Sequence, residues 1–483
     1  MPSTLALAHA LKTRLTDERT HSVLNLALPA VGEQMLNMLV GLADTFMVGH
    51  LGASAVAAVG LSNQAVMLVT TFFAAVATGV TALVARHIGA RETGAAEGIL
   101  GQGYLLGAAL GLLGTVLSLA LAVPIMIALR APADVVIPGA NYLSIVSTTF
   151  LLAAWMFIGN AALRGSGDTR SPMLVMLAVN IVNIAVAYLF IYGPGPFPQL
   201  GVEGSALGAA AGRGVGGLLV TGLLLRGRAI RRRSTSAVAE EQGAESAPES
   251  GSAATGGDKL RLRPRLLRPD VIPLRRILNI GLPAGAEQLM MRLGMITYAT
   301  TVAALGTAAF AAHQIALQAE SLSYMPGFGF AVAATTLMGQ GLGAGHPGRA
   351  KADTYQAWRL ALVLMSFMGL IFFFFPEQIM SIFIEDPAVI RLGVWPLRLV
   401  AFSQPMLATM MVFAGALRGA GDTRATLGIT AAGLWLVRVP LAFLLTPTLG
   451  LVGAWIAMGV DLNLRGLGML LRFRSGKWAT IKV

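Results

Sequence analysis

The sequence contains no cysteine, and charged residues make up only 12% of its 483 positions. A chain without cysteine has no disulfide framework, no cysteine-ligated zinc or iron–sulfur site and no thiol nucleophile. Soluble globular proteins carry roughly 25% charged residues, so the scarcity of charge argues against an ordinary soluble enzyme. The composition points instead to a protein whose main surroundings are lipid.

Hydrophobic residues make up 55% of the chain, and the mean hydropathy is +0.71. Because a membrane-spanning helix needs about 20 consecutive apolar residues, the chain has room for about twelve of them. We therefore predict an all-α integral membrane protein with two groups of six spans. The apolar runs place the spans at 22–48, 55–85, 95–123, 135–161, 171–193 and 201–226, and at 277–304, 308–338, 350–378, 388–415, 425–447 and 450–472.

Basic residues give the chain a net charge of +12 and cluster in the short connections between apolar runs. If the N-terminus is cytoplasmic, the connections on the opposite side hold only Arg130 and Arg391. The positive-inside rule then predicts a multi-pass protein of the plasma (inner) membrane with both termini in the cytoplasm, and it explains the charge without a nucleic-acid partner. The basic residues assigned to the cytoplasmic side are Arg86, Arg91, Arg164, Arg170, Arg349, Lys351, Arg418 and Arg424.

The spans divide the chain into five segments. Residues 1–21 are predicted to be a cytosolic N-terminal segment, 22–226 an N-lobe and 277–472 a C-lobe. Residues 227–276 are poor in apolar side chains and rich in Ser, Ala, Gly and Glu, which predicts a disordered cytosolic linker, and 473–483 form a cytosolic tail. The arginines that flank the linker would suit anionic lipid headgroups, although ordinary stop-transfer charge explains them as well.

The two halves are an internal repeat. A shift of 254 residues superposes 28–90 on 282–344 without a gap and with 20 identities in 63 positions. The same shift brings ALRGSGDTR, which ends at Arg170, onto ALRGAGDTR, which ends at Arg424. Chance matches between apolar segments would not keep one register over that distance. Two six-helix repeats have the same orientation, and a cleft between two such lobes is the usual transporter site.

Polar residues of the first predicted span lie on one face. Glu33, Asn37 and Asp44 are separated by four and seven residues, which places them within about 40° of arc on a helix. A carboxylate at the bilayer centre costs roughly 2.5–3.5 kcal/mol on insertion scales, so this stripe is expected to face other helices or a watery cavity. Asp44 is the strongest functional candidate. Glu33 and its repeat counterpart Glu287 fit equally well as carboxylates that pack helices together.

The seventh and eighth predicted spans carry a second polar group. His313, Glu320 and Tyr324 share one helix face, and Glu287 and Tyr298 share another. Methionine-rich apolar surface nearby would suit varied ligands. The candidates for a C-lobe cavity are Glu287, Met291, Tyr298, His313, Gln318, Glu320 and Tyr324.

Some of these polar residues also have a structural interpretation. A lone intramembrane histidine such as His313 is more often a hydrogen-bonded packing residue than an ion ligand. Arginines within the spans either pair with carboxylates or extend to the membrane interface. The arginines in question are Arg292, Arg398, Arg438 and Arg465.

The segments LPAVGEQMLNMLVGLADTFMVGHLG, ALRGSGDTR, ALRGAGDTR and IALQAESLSYMPGFGFAVAATTLMGQGLGAG resemble the multidrug and toxic compound extrusion (MATE) family. The resemblance covers the chain from about residue 22 to 472. It implies a V-shaped, two-lobe antiporter of twelve helices that expels cationic or amphipathic compounds as protons or sodium ions re-enter. It also implies that Asp44 is the cation-coupling acid and that Asn183 belongs to the same N-lobe network. Together with Glu33 on the Asp44 helix, these residues are the predicted cation-coupling site.

The chain departs from the family pattern in that network. Ala187 stands where other members carry an aspartate four residues after the asparagine, and Ala209 stands where they carry a threonine. The acid that another branch uses in the seventh span aligns with Met291, so Glu287, one turn earlier, is the nearest substitute. Sodium prefers several oxygen ligands, whereas a proton needs one carboxylate. The sparse site therefore favours a proton over a transient sodium ion at Asp44.

These observations predict a secondary active antiporter for multidrug efflux. We expect a drug-like substrate, no cofactor, no structural metal and a monomer in the lipid bilayer. Two alternatives stay open. A lipid-linked oligosaccharide flippase of the same superfamily would need a more cationic cavity, and an integral membrane enzyme or receptor would need a ligand-spaced cluster or nucleophile motif that we do not find.

Overall fold

The structure of the protein is a computed structural model that describes residues 18–229 and 259–481. The first half is a series of helices joined by short turns. They are α1 (Glu18–Gly49), α2 (Ala53–Gly89), α3 (Thr93–Ala128), α4 (Ala133–Ser147), α5 (Phe150–Gly165), α6 (Arg170–Tyr192) and α7 (Val202–Arg226). Two short strands, β1 (Arg228–Ala229) and β2 (Lys259–Leu260), and a 3-10 turn at Pro264–Leu266 precede the second half.

The second half repeats the arrangement, with a π-helical segment near its end. Its helices are α8 (Val271–Ala303), α9 (Thr307–Gly343), α10 (Pro347–Phe374), α11 (Pro376–Ser381), α12 (Pro387–Gly419), α13 (Thr423–Ala432) and α14 (Val439–Arg474). Residues Gly433–Arg438 form the π-helix between α13 and α14, and Lys477–Thr480 form a 3-10 turn.

The predicted all-α fold with two six-helix lobes is confirmed. Among the described residues, 8 helical stretches are long and apolar enough to cross a membrane, and 9 are when α4 and α5, bent by 55°, count as one span. The stretch Thr423–Arg474 is broken at Gly450, whose φ of 61° lies in the left-handed region, so it contains two predicted spans. The remaining two are α8 and α9, the helices that carry the polar C-lobe candidates.

Part of the predicted disordered linker is ordered. Residues 230–258 lie outside the described ranges, but Leu260 and Leu262 are buried. The Gln102 side chain of α3 donates to the Arg268 carbonyl over 2.7 Å, and Arg263 pairs with Glu97 at 2.7 Å. Glu97 is a buried carboxylate in an apolar helix and needs a cation, which this part of the linker supplies.

Both terminal segments are shorter than predicted where the structure describes them. The first helix already begins at Glu18, inside the predicted 1–21 segment, and residues 1–17 lie outside the described ranges. In the predicted tail, α14 continues to Arg474. The Trp478 ring stacks on Phe473 at 5.2 Å between centroids and is buried, so this part of the tail packs against the C-lobe.

One end of the helix bundle carries the eight basic residues that the sequence analysis assigned to the cytoplasmic side, and we call it the basic end. The two lobes meet near this end. Gly89 is the last residue of α2, and its repeat counterpart Gly343 is the last residue of α9. A methyl group on Gly89 would overlap the Gln340 carbonyl, and one on Gly343 would overlap the Arg86 carbonyl. The helices therefore approach backbone to backbone, which glycine permits.

The same kind of approach recurs further along this seam. A methyl group on Gly281 of α8 would lie 2.7 Å from the Ala75 carbonyl oxygen of α2, and one on Gly329 of α9 would lie 2.7 Å from the Ala27 carbonyl oxygen of α1. The 254-residue shift exchanges these two contacts, so the seam follows the symmetry of the repeat. The lobes are joined along the half of the bundle nearest the basic end.

Candidate functional site

The first polar cluster lies in the N-lobe between α1, α4, α6 and α7. The half-buried Asp44 carboxylate faces the Asn183 side chain and the Arg213 guanidinium. The buried Tyr142 ring lies near both charged groups and near Ser205. The sequence-based pairing of Asp44 with Asn183 agrees with this arrangement, whereas Arg213, Tyr142 and Ser205 were not singled out from the sequence.

Several buried polar atoms of this N-lobe cluster have no hydrogen-bond partner among the described residues. They are Asp44 Oδ1, Asn183 Oδ1, Ser205 Oγ and one terminal nitrogen of Arg213. Buried polar groups are normally hydrogen-bonded, so an unsatisfied group calls for an explanation. The acceptor oxygens of Asp44 and Asn183 and a donor nitrogen of Arg213 are therefore available, as expected for groups that bind a proton, water or ligand.

The second polar cluster is a buried charged triad in the C-lobe. Arg465 binds Asp461 with two hydrogen bonds of 2.8 and 2.7 Å. Arg438 Nε lies 2.9 Å from Asp461 Oδ2, although its N–H does not point along that line. At Gly433, where the π-helix begins, a methyl group would lie 2.8 Å from Arg465 Cδ, so glycine makes room for the triad. π-Helical turns often mark functional sites.

Three of the predicted C-lobe residues gather around Arg438. Its guanidinium lies 5.4 Å from the centre of the Tyr298 ring, and the Tyr298 hydroxyl donates to the Ala454 carbonyl over 2.9 Å. The His313 ring packs edge-on against Tyr298 at 5.6 Å between centroids. Glu320 is buried and faces Arg438. Because Asp461 is shared by two arginines, Glu320 provides the second negative charge in this cluster.

The 254-residue shift relates the two clusters. Tyr298 is the repeat counterpart of Asp44, and each residue lies at the middle of its own cluster. The first, fifth and sixth spans contribute Asp44, Asn183 and Arg213 to the N-lobe cluster, and the seventh, eleventh and twelfth spans contribute Tyr298, Arg438 and Asp461 to the other. The duplication therefore preserved the location of a polar centre while its chemistry diverged.

Glu33 and Glu287 form ion pairs that the repeat relates, and Glu287 is also near enough to Arg465 to interact with its charge. Arg164 donates to Glu33 Oε1 over 2.8 Å, and Arg418 donates to Glu287 Oε1 over the same distance. Glu287 also accepts hydrogen bonds from the Thr426 and Thr430 hydroxyls at 3.0 and 2.9 Å. Each carboxylate therefore joins the first helix of its lobe to the ALRG segment, and these contacts favour the packing interpretation for both acids.

We expect Glu287→Gln to destabilise the protein more than Glu33→Gln does. Glu287 accepts from three side chains and is 2% exposed, and each hydrogen bond to a charged group is worth about 1.5–3 kcal/mol. Thermal unfolding in detergent measures the difference, with Asp134→Asn, an exposed carboxylate at a helix start, as the control. Equal melting temperatures for Glu287→Gln and Asp134→Asn would contradict the packing role.

The other predicted cavity residues are more exposed. Met291 and Tyr324 are exposed, and Tyr324 lies near Glu320. The Gln318 side chain is also exposed and is not part of the Arg438 cluster. As expected, Arg438 and Arg465 pair with a carboxylate. That partner, Asp461, was missed, although an Asp–Arg pair four residues apart inside an apolar helix is a visible signal.

Comparisons with known proteins agree with this architecture. The MatE family model matches residues 29–189 and 283–444, one match in each repeat. The probable multidrug resistance protein NorM of Thermotoga maritima is 33% identical over 94% of this chain and 92% of its own length. The protein of the same name from Pseudomonas aeruginosa is 31% identical over 96% of this chain and 90% of its own length.

A solved structure of a MOP superfamily transporter from Pyrococcus furiosus has the same fold. It superposes with a TM-score of 0.82 at 21% identity and covers 97% of this chain and 98% of the other. The family model matches both halves, and a relative is 33% identical over nearly the whole chain. These matches assign the chain to a transporter family and exclude the enzyme alternative. The chain is a multi-pass membrane protein that belongs to the MatE family, the multidrug and toxic compound extrusion transporters.

Proposed function

We propose that the protein is a secondary active antiporter that exports cationic or amphipathic small molecules in exchange for protons, with Asp44 as the coupling acid. We place it in the plasma (inner) membrane as a monomer with both termini in the cytoplasm. The observation that carries the proposal is the Asp44 carboxylate itself. It is inside a spanning helix, has an unpartnered oxygen, and faces Asn183 and Arg213.

The surroundings of Asp44 favour a proton over sodium. A sodium site needs several oxygen ligands around the ion, but Ala187 and Ala209 contribute none. Arg213 adds a positive charge beside Asp44, and that charge would repel a bound cation. A proton requires only one acceptor atom, which the unpartnered Asp44 Oδ1 offers.

Exchange then follows from charge. With Asp44 ionised, its charge balances that of Arg213, and a cationic substrate can approach the carboxylate. Protonation of Asp44 leaves Arg213 unbalanced, so the site becomes positive and repels the same substrate. The two ligands thus exclude each other, and their different affinities for the two arrangements of the lobes convert a proton gradient into export.

The charge balance also argues against the flippase alternative. A pyrophosphate-bearing lipid would need a cavity with a surplus of cations. In the N-lobe cluster Arg213 has Asp44, and in the C-lobe cluster Arg438 and Arg465 have Asp461 and Glu320. Neither cluster offers the surplus.

Uptake of ethidium, a cationic dye, into proteoliposomes tests the proposal. We expect an imposed proton gradient alone to drive uptake by the wild type, and Asp44→Asn to reduce it by about 100-fold or more, because an amide cannot exchange the coupling proton. Asp134→Asn, which changes an exposed acid outside both clusters, should transport normally.

The contrary outcomes are distinct. Uptake driven by sodium alone would overturn proton coupling. Normal uptake by Asp44→Asn would remove Asp44 from the mechanism and leave Glu320 as the intramembrane acid to examine. No dye uptake under either gradient, with transfer of a lipid-linked oligosaccharide, would establish the flippase.

A further inference from the structure

A cavity of about 410 Å³ opens at the basic end between the two lobes. It is lined by residues from the end of α2, including Arg86 and His87, by Arg276 near the start of α8, and by Leu342 and Gly343 at the end of α9. This volume lies within the range of about 300–1,000 Å³ that is typical of small-molecule sites. Its lining residues include no member of either polar cluster described above.

The cavity brings together two arginines from different lobes. The Arg86 guanidinium faces that of Arg276, and their like charges repel. Arg86 donates one hydrogen bond, to the Ile481 carbonyl over 3.2 Å, and a guanidinium has further N–H groups to offer. Glu92, the acid among the lining residues, is already bound to His87 Nδ1 at 2.7 Å. Among the described lining residues, the positive charge of the cavity is therefore not balanced.

We propose that this cavity binds a phosphate-bearing anion, either a free phosphate compound or the headgroup of an anionic lipid, between Arg86 and Arg276. Arginine binds phosphate through paired, charge-assisted hydrogen bonds. An anion placed there removes the repulsion between the two guanidinium groups. It also connects α2 of the N-lobe to α8 of the C-lobe.

The position of the cavity gives the anion a regulatory effect. Gly343 both lines the cavity and forms the backbone contact with α2 that closes the basic end. An anion that bridges Arg86 and Arg276 is bound only while the lobes are together at this end, so it favours that state by mass action. The regulatory effect rests on the proposed function, because only alternating access requires the seam between the lobes to open. Binding of the anion does not depend on the proposed function.

Thermal unfolding of the purified full-length protein tests the site. In phosphate-free detergent, inorganic phosphate should raise Tm with a saturable dependence, compared with sodium chloride at equal ionic strength. In a second arm, phosphatidylglycerol bilayer discs should raise Tm relative to phosphatidylcholine discs. A response to phosphate in detergent indicates a free anion, and a response to phosphatidylglycerol alone indicates a lipid headgroup.

The variants Arg86→Gln and Arg276→Gln should weaken the response by about tenfold or more, since each removes charge-assisted hydrogen bonds. Arg275→Gln is the matched control, because Arg275 is the next residue on the same helix and does not line the cavity. The site is refuted if neither probe raises Tm, or if Arg275→Gln weakens the response as much as Arg276→Gln. Binding is measured without transport, so its failure is distinguishable from failure of the antiport proposal.

Spin labels report the regulatory effect, with Ala95→Cys on the N-lobe and Lys351→Cys on the C-lobe, both exposed near the basic end. The chain contains no cysteine of its own, so the labels react at these positions alone. We expect the bound anion to increase the population with the shorter distance between labels. An unchanged distribution, under conditions where Tm does rise, would overturn the link to lobe closure.

Discussion

Replacement of Asp461 by Asn is expected to destabilise the protein by about 3–5 kcal/mol, the usual cost of removing one partner from a buried ion pair. Asp461 is fully buried, and both Arg438 and Arg465 are 4% exposed. Without the carboxylate, two guanidinium groups lie close together away from water, and the carboxylates left to offset them are Glu320 near Arg438 and Glu287 near Arg465. The resulting repulsion should move the π-helix, which carries Arg438, away from the part of α14 that carries Arg465.

Unfolding by heat or by sodium dodecyl sulfate in detergent micelles measures this loss. Asp134→Asn is the control for removal of an exposed carboxylate. The double variant Asp461→Leu/Arg465→Met removes one charge of each sign, and it should recover part of the stability because paired apolar replacements of buried ions are often tolerated. An Asp461→Asn protein as stable as Asp134→Asn would show that the triad is not an energetic unit.

Replacement of Gly343 by Ala is expected to open the basic end. The added methyl group would overlap the Arg86 carbonyl of α2, and Gly89→Ala should act in the same way through the Gln340 carbonyl. Overpacking of this kind costs about 1–3 kcal/mol, which changes the ratio of closed to open molecules by roughly 5- to 150-fold. Export should fall accordingly, since the cycle would lack its closed state.

The Ala95/Lys351 spin-label pair measures the opening, as a shift to longer distances in Gly343→Ala and Gly89→Ala. Gly94→Ala and Gly348→Ala are matched controls. These glycines are also repeat counterparts near the basic end, but a methyl group on either meets no described residue within 4 Å. If all four variants gave the same distance distribution as the unsubstituted protein, the glycines would not be required for closure of the basic end, and the prediction would be wrong.

The two polar clusters differ in how far the sequence anticipated them. Asp44 was identified from its polar stripe and its family position and Asn183 from its family position alone, whereas Tyr298, His313 and Glu320 were identified because they shared helix faces in spans where polar residues are costly. Arg213 and Asp461 were missed, although both are charged residues inside apolar helices. Arg213 and Asp461 lie in the sixth and twelfth spans, outside the polar stripes of the first, seventh and eighth spans.

The linker shows a different limit. A low content of apolar residues predicted disorder over 227–276, but Leu260, Leu262 and Arg263 suffice to attach 259–276 to α3 and α7. Composition averages over a segment, whereas docking depends on a few side chains that meet specific partners. The buried Glu97 is such a partner, and nothing near it in the sequence indicates which arginine neutralises it.

By itself, the sequence determined the number and order of the spans, the duplication, the polar stripes and the likeness to one family, because hydropathy, helical period and repeat register are all local properties. The tertiary structure decided which charges meet across different helices. Glu33 and Glu287 each pair with an arginine 131 residues away in the sequence. Arg213, which lies beside Asp44, belongs to the last helix of the N-lobe, whereas Asp44 belongs to the first. In a low-dielectric interior the nearest opposite charge decides whether an acid binds helices together or stays free for a ligand. That neighbour is set by long-range packing.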